Sequence, residues 1–243
     1  MTALIDAMRE LVIANRILAH EGVLDAYGHV TVRHPDDPNK FLMSRSRSPE
    51  LVTLGDIVTF TLDCKPIDDL GRPLYSERPI HGAIYEARPE VNAVVHNHAY
   101  DVVTFSTTKI PLRPIAHGAG GIGHEVPVWD IADAFGDKTN LLVVTMPQGR
   151  DLAKKLGNHE AVLMRGHGCA VAGLNIKHAV ILSYYLQLNA RLLMNALMLA
   201  GGQQGITYLA PNEIETRLHD ERNPKFRDRA WEYWVRRAGC DDL

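Results

Sequence analysis

Apolar residues recur at helical spacing over residues 4–20 (Leu4, Met8, Leu11, Val12, Ile17, Leu18), which predicts an amphipathic helix with one face for a core. The period then shortens to two. His29-Val30-Thr31-Val32-Arg33 alternates as a half-buried strand, and Lys40-Phe41-Leu42-Met43-Ser44 reads as its partner across a turn containing Pro35 and Asp36-Asp37-Pro38-Asn39. Ile57–Leu62 predicts a third strand, ended by the turns at Pro66 and Gly71-Arg72-Pro73. Ser76 is a candidate N-cap for a helix over 77–87 that tolerates Pro79 in its first turn and carries Glu77, His81 and Tyr85 on one face. Pro89 stops that helix. A strand over Val91–His98 follows, then a helix over 100–108 and a Gly- and Pro-rich stretch over 110–127. Glu160–Arg165 and Cys169–Ala172 read as a hairpin whose turn holds His167, ahead of a long helix over 176–200. The tail from Pro211 to Arg237 reads as helical and charged, with Trp231, Tyr233 and Trp234. Strands in pairs with helices between and after them predict an α/β layered domain around a mostly antiparallel sheet.

Composition narrows the partners. A chain of 243 residues with 46% apolar and 23% charged residues has room for one large domain over 1–243, with a helical tail from about 211. The net charge of −3 offers no basic footprint, so no nucleic-acid partner is expected. Asp6, Arg9 and Glu10 interrupt the N-terminus, which argues against a signal peptide. The apolar run Ala179–Ala200 is broken by Gln187, Asn189, Arg191 and Asn195, so it predicts a buried or interfacial helix and no membrane span. Cys64, Cys169 and Cys240 lack a Cys-x-x-Cys pair and read as reduced thiols of a cytoplasmic protein.

The twelve histidines raise the expectation of metal or acid–base chemistry. His96 and His98 stand two apart at the end of an apolar strand, where alternation points them the same way. His167 sits in the glycine-flanked turn Arg165-Gly166-His167-Gly168. Together the three make a divalent-metal site with a coordination position open to water or substrate; a closed structural zinc site is the other reading, although such sites favour cysteine. Glu77 beside such an ion can act as ligand or as acid–base group, and also reads as an ordinary first-turn glutamate.

The runs Ser76-Glu77-Arg78-Pro79-Ile80-His81, Arg88 to His98, Gly166-His167-Gly168 and Gly28-His29-Val30-Thr31-Val32-Arg33 resemble the class II aldolase/adducin family, over most of the chain from the first helix to about residue 200. The resemblance implies a three-layer α/β/α sandwich with a central, mostly antiparallel sheet, and a homotetramer with sites near subunit interfaces. It also implies one divalent metal ion per subunit (Zn2+ or Mn2+) on His96, His98 and His167, with Glu77 as the catalytic acid–base residue.

The departures from the family pattern shift the expected substrate. Sugar-phosphate members carry a Gly-Asn pair, a Thr-Pro-x-Gly-like loop and a Ser-Ser pair, where this chain has Gly28-His29, Ser44-Arg45-Ser46-Arg47 and Tyr75-Ser76. Bulky residues there obstruct the close backbone approach that a phosphate cradle needs. Arg45 and Arg47, with His29, Ser76 and His117, are instead candidates to bind a carboxylated substrate. The Ser-Arg-Ser-Arg-Ser-Pro-Glu segment resembles the branch that decarboxylates hydroxylated aromatic dicarboxylates such as dihydroxyphthalate or hydroxypyridine dicarboxylate. The expected function is therefore metal-dependent decarboxylation of an aromatic hydroxy acid. The alternatives are aldol cleavage of a non-phosphorylated or carboxylated hydroxy-carbonyl compound and a non-catalytic adducin-type binding module. Gly118-Ala119-Gly120-Gly121-Ile122-Gly123 fits the dinucleotide G-x-G-x-x-G pattern, but no strand precedes it and Pro127 interrupts any following helix, so it reads as an active-site loop.

Overall fold

A computed structural model describes residues 2–221 and 224–243. Its centre is a seven-stranded sheet built from β1 (His29–Arg33), β2 (Lys40–Ser44), β3 (Ile57–Thr61), β4 (Ala93–Asn97), β5 (Val128–Trp129), β6 (Ala161–Met164) and β7 (Gly168–Gly173). The order is β3-β2-β1-β4-β7-β6-β5, antiparallel throughout except for the β5–β6 pair. Helices α1 (Thr2–His20), α3 (Tyr100–Ser106), α6 (Ile176–Ala200) and α8 (Pro224–Arg237) pack on one face; α2 (Arg78–Ala87), α4 (Ile131–Phe135) and α5 (Met146–Leu156) lie on the other. The expected α/β/α sandwich and its mostly antiparallel sheet are borne out. A further helix, α7 (Pro211–Glu221), packs against the loop around residue 120.

Two-residue alternation sorts the core. Ala93 and Val95 of β4 join Val30, Leu163 and Val171 against α1 and α6, while Val94 joins Phe41, Phe60 and Ala170 against α2 and α5. Each such aliphatic side chain contributes about 1.5–3 kcal/mol on burial, so a one-residue slip of β4 would exchange its two faces and cost several of these terms at once.

The predicted elements differ from the observed ones in instructive places. The tail predicted as continuous from 211 to 237 forms α7 and α8, and residues 222 and 223 lie outside the described residues. Residues 128–156, which carry weak periodicity, hold β5, α4 and α5. Helix α5 is hidden in the sequence by Pro147 and Gly149, both unfavourable in a helix interior. Pro147 stands in its first turn, where a missing N–H costs nothing, and Thr145 with Gln148 forms a capping box. At Gly149 a Cβ would lie 2.3 Å from the Pro79 carbonyl oxygen, so glycine is what lets α5 approach α2. The G-x-G-x-x-G run begins in a 3-10 turn, His117–Ile122, with no strand before it. That turn packs against α6 and α7, where a Cβ at Gly118 would strike the Tyr185 ring. Within the chain it does not form the active-site loop expected of it.

Sheet register brings the chemistry to one edge. His29, the first residue of β1, stands opposite His96 near the end of β4, and Asn97 stands opposite Cys169 near the start of β7. The N-terminus of α2 lies over the same edge, and the β6–β7 turn carries His167 to it.

Candidate functional site

Ligand atoms of Glu77, His96, His98 and His167 lie within 4.8 Å of one another at that edge. His98 falls one residue beyond β4, yet its Nε2 is 3.0 Å from His96 Nε2. The turn that presents His167 needs a left-handed residue, and Gly166 supplies it at φ 65°. Glu77, not Ser76, is the N-cap of α2, and its side chain makes no capping bond. Its Oε1 instead accepts a hydrogen bond from Val143 N–H at 2.9 Å, while Oε2 faces His96 and His167 at 3.6 and 3.5 Å.

The hydrogen-bond partners settle which imidazole nitrogens carry hydrogen. His96 Nδ1 is 3.0 Å from the Cys169 carbonyl oxygen, and His98 Nδ1 is 3.0 Å from the Asp25 carboxylate. Burial pushes the Asp25 carboxyl up, but bonds from Tyr27 N–H and His98 outweigh it and hold the group below the usual range, so it is ionised. A carbonyl and a carboxylate only accept, so both Nδ1 atoms donate. In neutral rings this leaves two Nε2 lone pairs facing each other at 3.0 Å with a carboxylate oxygen beside them. A cation between them could satisfy this convergent set of acceptors. Three imidazoles and a carboxylate, with outer partners fixing the tautomers of His96 and His98, suit a first-row divalent metal. Burial acts to raise the Glu77 pKa, but the neighbouring His167 and His96 prevail and hold it well below the usual carboxylate range.

A cleft of about 710 Å³ opens over the cluster, lined in part by His29, Arg47, Ser76, Glu77, His98 and His167. The remaining substrate candidates fall elsewhere. Arg45 does not line the cleft; its Nε donates to Asp56 Oδ1 at 2.6 Å. Arg47 Nη1 donates to the same carboxylate at 3.0 Å, so the two arginines share a face as alternation implied but converge on an internal acid. Burial opposes ionisation of Asp56, yet bonds from Thr53, Arg45 and Arg47 bring its pKa down to about 2. His117 lines a separate cavity with Leu209, Asn212 and Arg217, so one chain does not bring it to the cluster.

Some residues at this edge carried little or no signal in the sequence. Asp25 was legible only as a turn residue: its Oδ1 accepts from Tyr27 and Gly28 N–H just before β1. The backbone of Val143, which reaches Glu77, and Asn140-Leu141-Leu142, which line the cleft, fall in a stretch to which the sequence assigned no role.

Residues 9–194 match the Class II Aldolase and Adducin N-terminal domain, and the chain belongs to that family. Among curated proteins it is 35% identical to decarboxylase tropJ of Talaromyces stipitatus, across 97% of this chain and 95% of that protein. It is 28% identical to the 3,4-dihydroxyphthalate decarboxylase of Arthrobacter keyseri, across 72% of each. The fold matches the crystal structure of an aldolase II superfamily protein from Pseudomonas syringae with a TM-score of 0.81 at 21% identity, over 98% of this chain and 94% of that one. Among the described residues no helix is long and apolar enough to cross a membrane.

Proposed function

We propose that this chain is a metal-dependent decarboxylase of a hydroxylated aromatic mono- or dicarboxylic acid, with His96, His98 and His167 holding Zn2+ or Mn2+. The observation that carries this reading is the convergence of lone pairs and a carboxylate at the floor of the cleft. The identity to two proteins named as decarboxylases, and the loss of the glycine and asparagine pattern of a phosphate cradle, point from aldol cleavage to decarboxylation.

A divalent ion in this cluster supplies Lewis-acid stabilisation of the negative charge that develops on the substrate as carbon dioxide departs. Glu77 has one oxygen pinned by Val143 N–H, so Oε2 is the oxygen aimed at the reacting region. It would accept the proton of the substrate's ring hydroxyl and pass it to the ring carbon bearing the departing carboxylate. The carbon–carbon bond then breaks, carbon dioxide leaves, and the electron pair of that bond restores the aromatic ring as a phenolate. Arg47 and Ser76 line the cleft where a substrate oxygen would bind, and His29 stands beside the cluster. Assembly as a homotetramer belongs to the same reading; Met198 and Leu199, 80% and 90% exposed at the end of α6, are apolar side chains that a subunit contact would cover.

The test is metal analysis of the purified protein followed by a carbon-dioxide-release assay on ortho-hydroxy aromatic acids, with 3,4-dihydroxyphthalate among them. Metal-dependent release is expected. Cleavage of a hydroxy-aldehyde sugar phosphate without any decarboxylation overturns the proposal.

A further inference from the structure

Behind the cleft runs a chain of buried polar groups that metal binding does not use. His29 Nδ1 is 2.7 Å from His81 Nε2, His81 Nδ1 is 2.8 Å from Thr31 Oγ1, and Thr31 Oγ1 is 2.9 Å from the Tyr85 hydroxyl. Register explains the alignment: Thr31 follows His29 by two on one face of β1, and Tyr85 follows His81 by one turn of α2. All four side chains are buried, with residue exposures of 1% or less. Such a chain is costly to bury unless each donor has an acceptor.

The direction of the chain follows from donor counting. Burial pushes the pKa of the Tyr85 phenol up and keeps it protonated, and its hydroxyl hydrogen has Thr31 Oγ1 as acceptor. Thr31 then has one hydrogen to place, with His81 Nδ1 at 2.8 Å or the Val94 carbonyl at a long 3.4 Å. The shorter contact takes it. A ring that accepts at Nδ1 is neutral and carries its one hydrogen on Nε2, so the Thr31 contact fixes His81. His81 accepts at Nδ1 and so donates from Nε2 to His29 Nδ1, leaving the one hydrogen of His29 on Nε2.

We propose that His29 presents Nε2–H to an anionic oxygen of the substrate as a neutral donor, and that Tyr85, Thr31 and His81 are positioning residues that fix this tautomer through a one-way hydrogen-bond chain. His29 lines the cleft and its Nδ1 is engaged, so Nε2 is the nitrogen left for a ligand. Specificity follows: the site favours a substrate oxygen that accepts and disfavours an N–H donor at that position, which would oppose a fixed donor. The inference rests on the decarboxylase reading for the identity of the substrate but not for the tautomer.

Two measurements separate the two. In the zinc-loaded protein labelled with 15N-histidine, His29 (assigned by loss of its signals in His29→Asn) is expected to show a protonated Nε2 and a bare Nδ1. This requires no substrate. In decarboxylation, His81→Leu is expected to lower kcat/KM roughly tenfold or more, the loss of one aligned hydrogen bond. His81→Gln, whose amide can accept from Thr31 and donate to His29, is expected to recover most of that loss at unchanged metal content. A wild-type His29 protonated at Nδ1, or equal kcat/KM in His81→Leu and wild type, overturns the inference. If no aromatic acid is decarboxylated, the proposed function fails while the 15N spectrum still decides the tautomer.

Discussion

Asp56 and Glu77 are both carboxylates sealed inside the protein, 4% and 7% exposed, and both stand where their pKa is driven down. Their surroundings differ in one respect. Asp56 accepts from Arg45, Arg47 and both the backbone and hydroxyl of Thr53, so its charge is balanced by permanent cations and donors. Glu77 has a single backbone donor, and its other oxygen faces His96 and His167, of which His96 has its outer nitrogen committed to the Cys169 carbonyl. A buried acid whose cations come from the chain holds the structure together; one whose cation must come from outside is poised for chemistry.

The largest expected effect is on the open side of this contrast. His96→Ala is expected to remove metal and activity together, read by metal analysis and turnover; full metal occupancy in that variant would break the ligand assignment. Glu77→Gln comes next. It is expected to keep the metal while lowering kcat by about 10²–10⁴-fold, the range of a positioned acid–base group. An active variant would remove Glu77 from the mechanism.

On the closed side the expected effects fall on stability. Asp56→Asn leaves Arg45 and Arg47 without their counter-charge and is expected to cost roughly 2–3 kcal/mol in urea unfolding without altering metal content. The same pair gives a pH signature. Because the folded-state pKa of about 2 lies below the ordinary 3.8, the unfolded chain binds the proton first. The contribution is complete above the ordinary value and is lost as pH falls toward 2, amounting to roughly 2 kcal/mol. The Asp56→Asn protein should lack that component of its acid sensitivity. The smallest difference is between the arginines. Arg45→Ala and Arg47→Ala should each cost about 1 kcal/mol of stability, but only Arg47 lines the cleft, so only its loss should raise KM. Equal KM effects would erase the distinction.

Much of this was legible in the chain. Alternation through Val94-Val95-His96 and the glycine-flanked His167 pointed to a metal site from local geometry, and the hairpin of β6 and β7 appeared close to its predicted bounds. Helix α5 was not legible, because Pro147 and Gly149 argue against a helix until its cap and its contact with α2 are seen. Nothing local revealed Asp56, which binds Arg45 and Arg47 within the β2–β3 connection and leaves only Arg47 lining the cleft.

By itself the sequence determined residue types and local periods: which strands alternate, which helix faces are apolar, and which histidines share a strand face. These follow from backbone geometry within a few residues and need no partner. Tertiary structure alone decided which groups face one another across the sheet edge. It spent two arginines on Asp56, carried His117 to another cavity, and joined His29 to His81, Thr31 and Tyr85. The physical reason is that charge pairing and hydrogen-bond direction depend on distances of about 3 Å between residues tens of positions apart, and only strand register and helix packing set those distances.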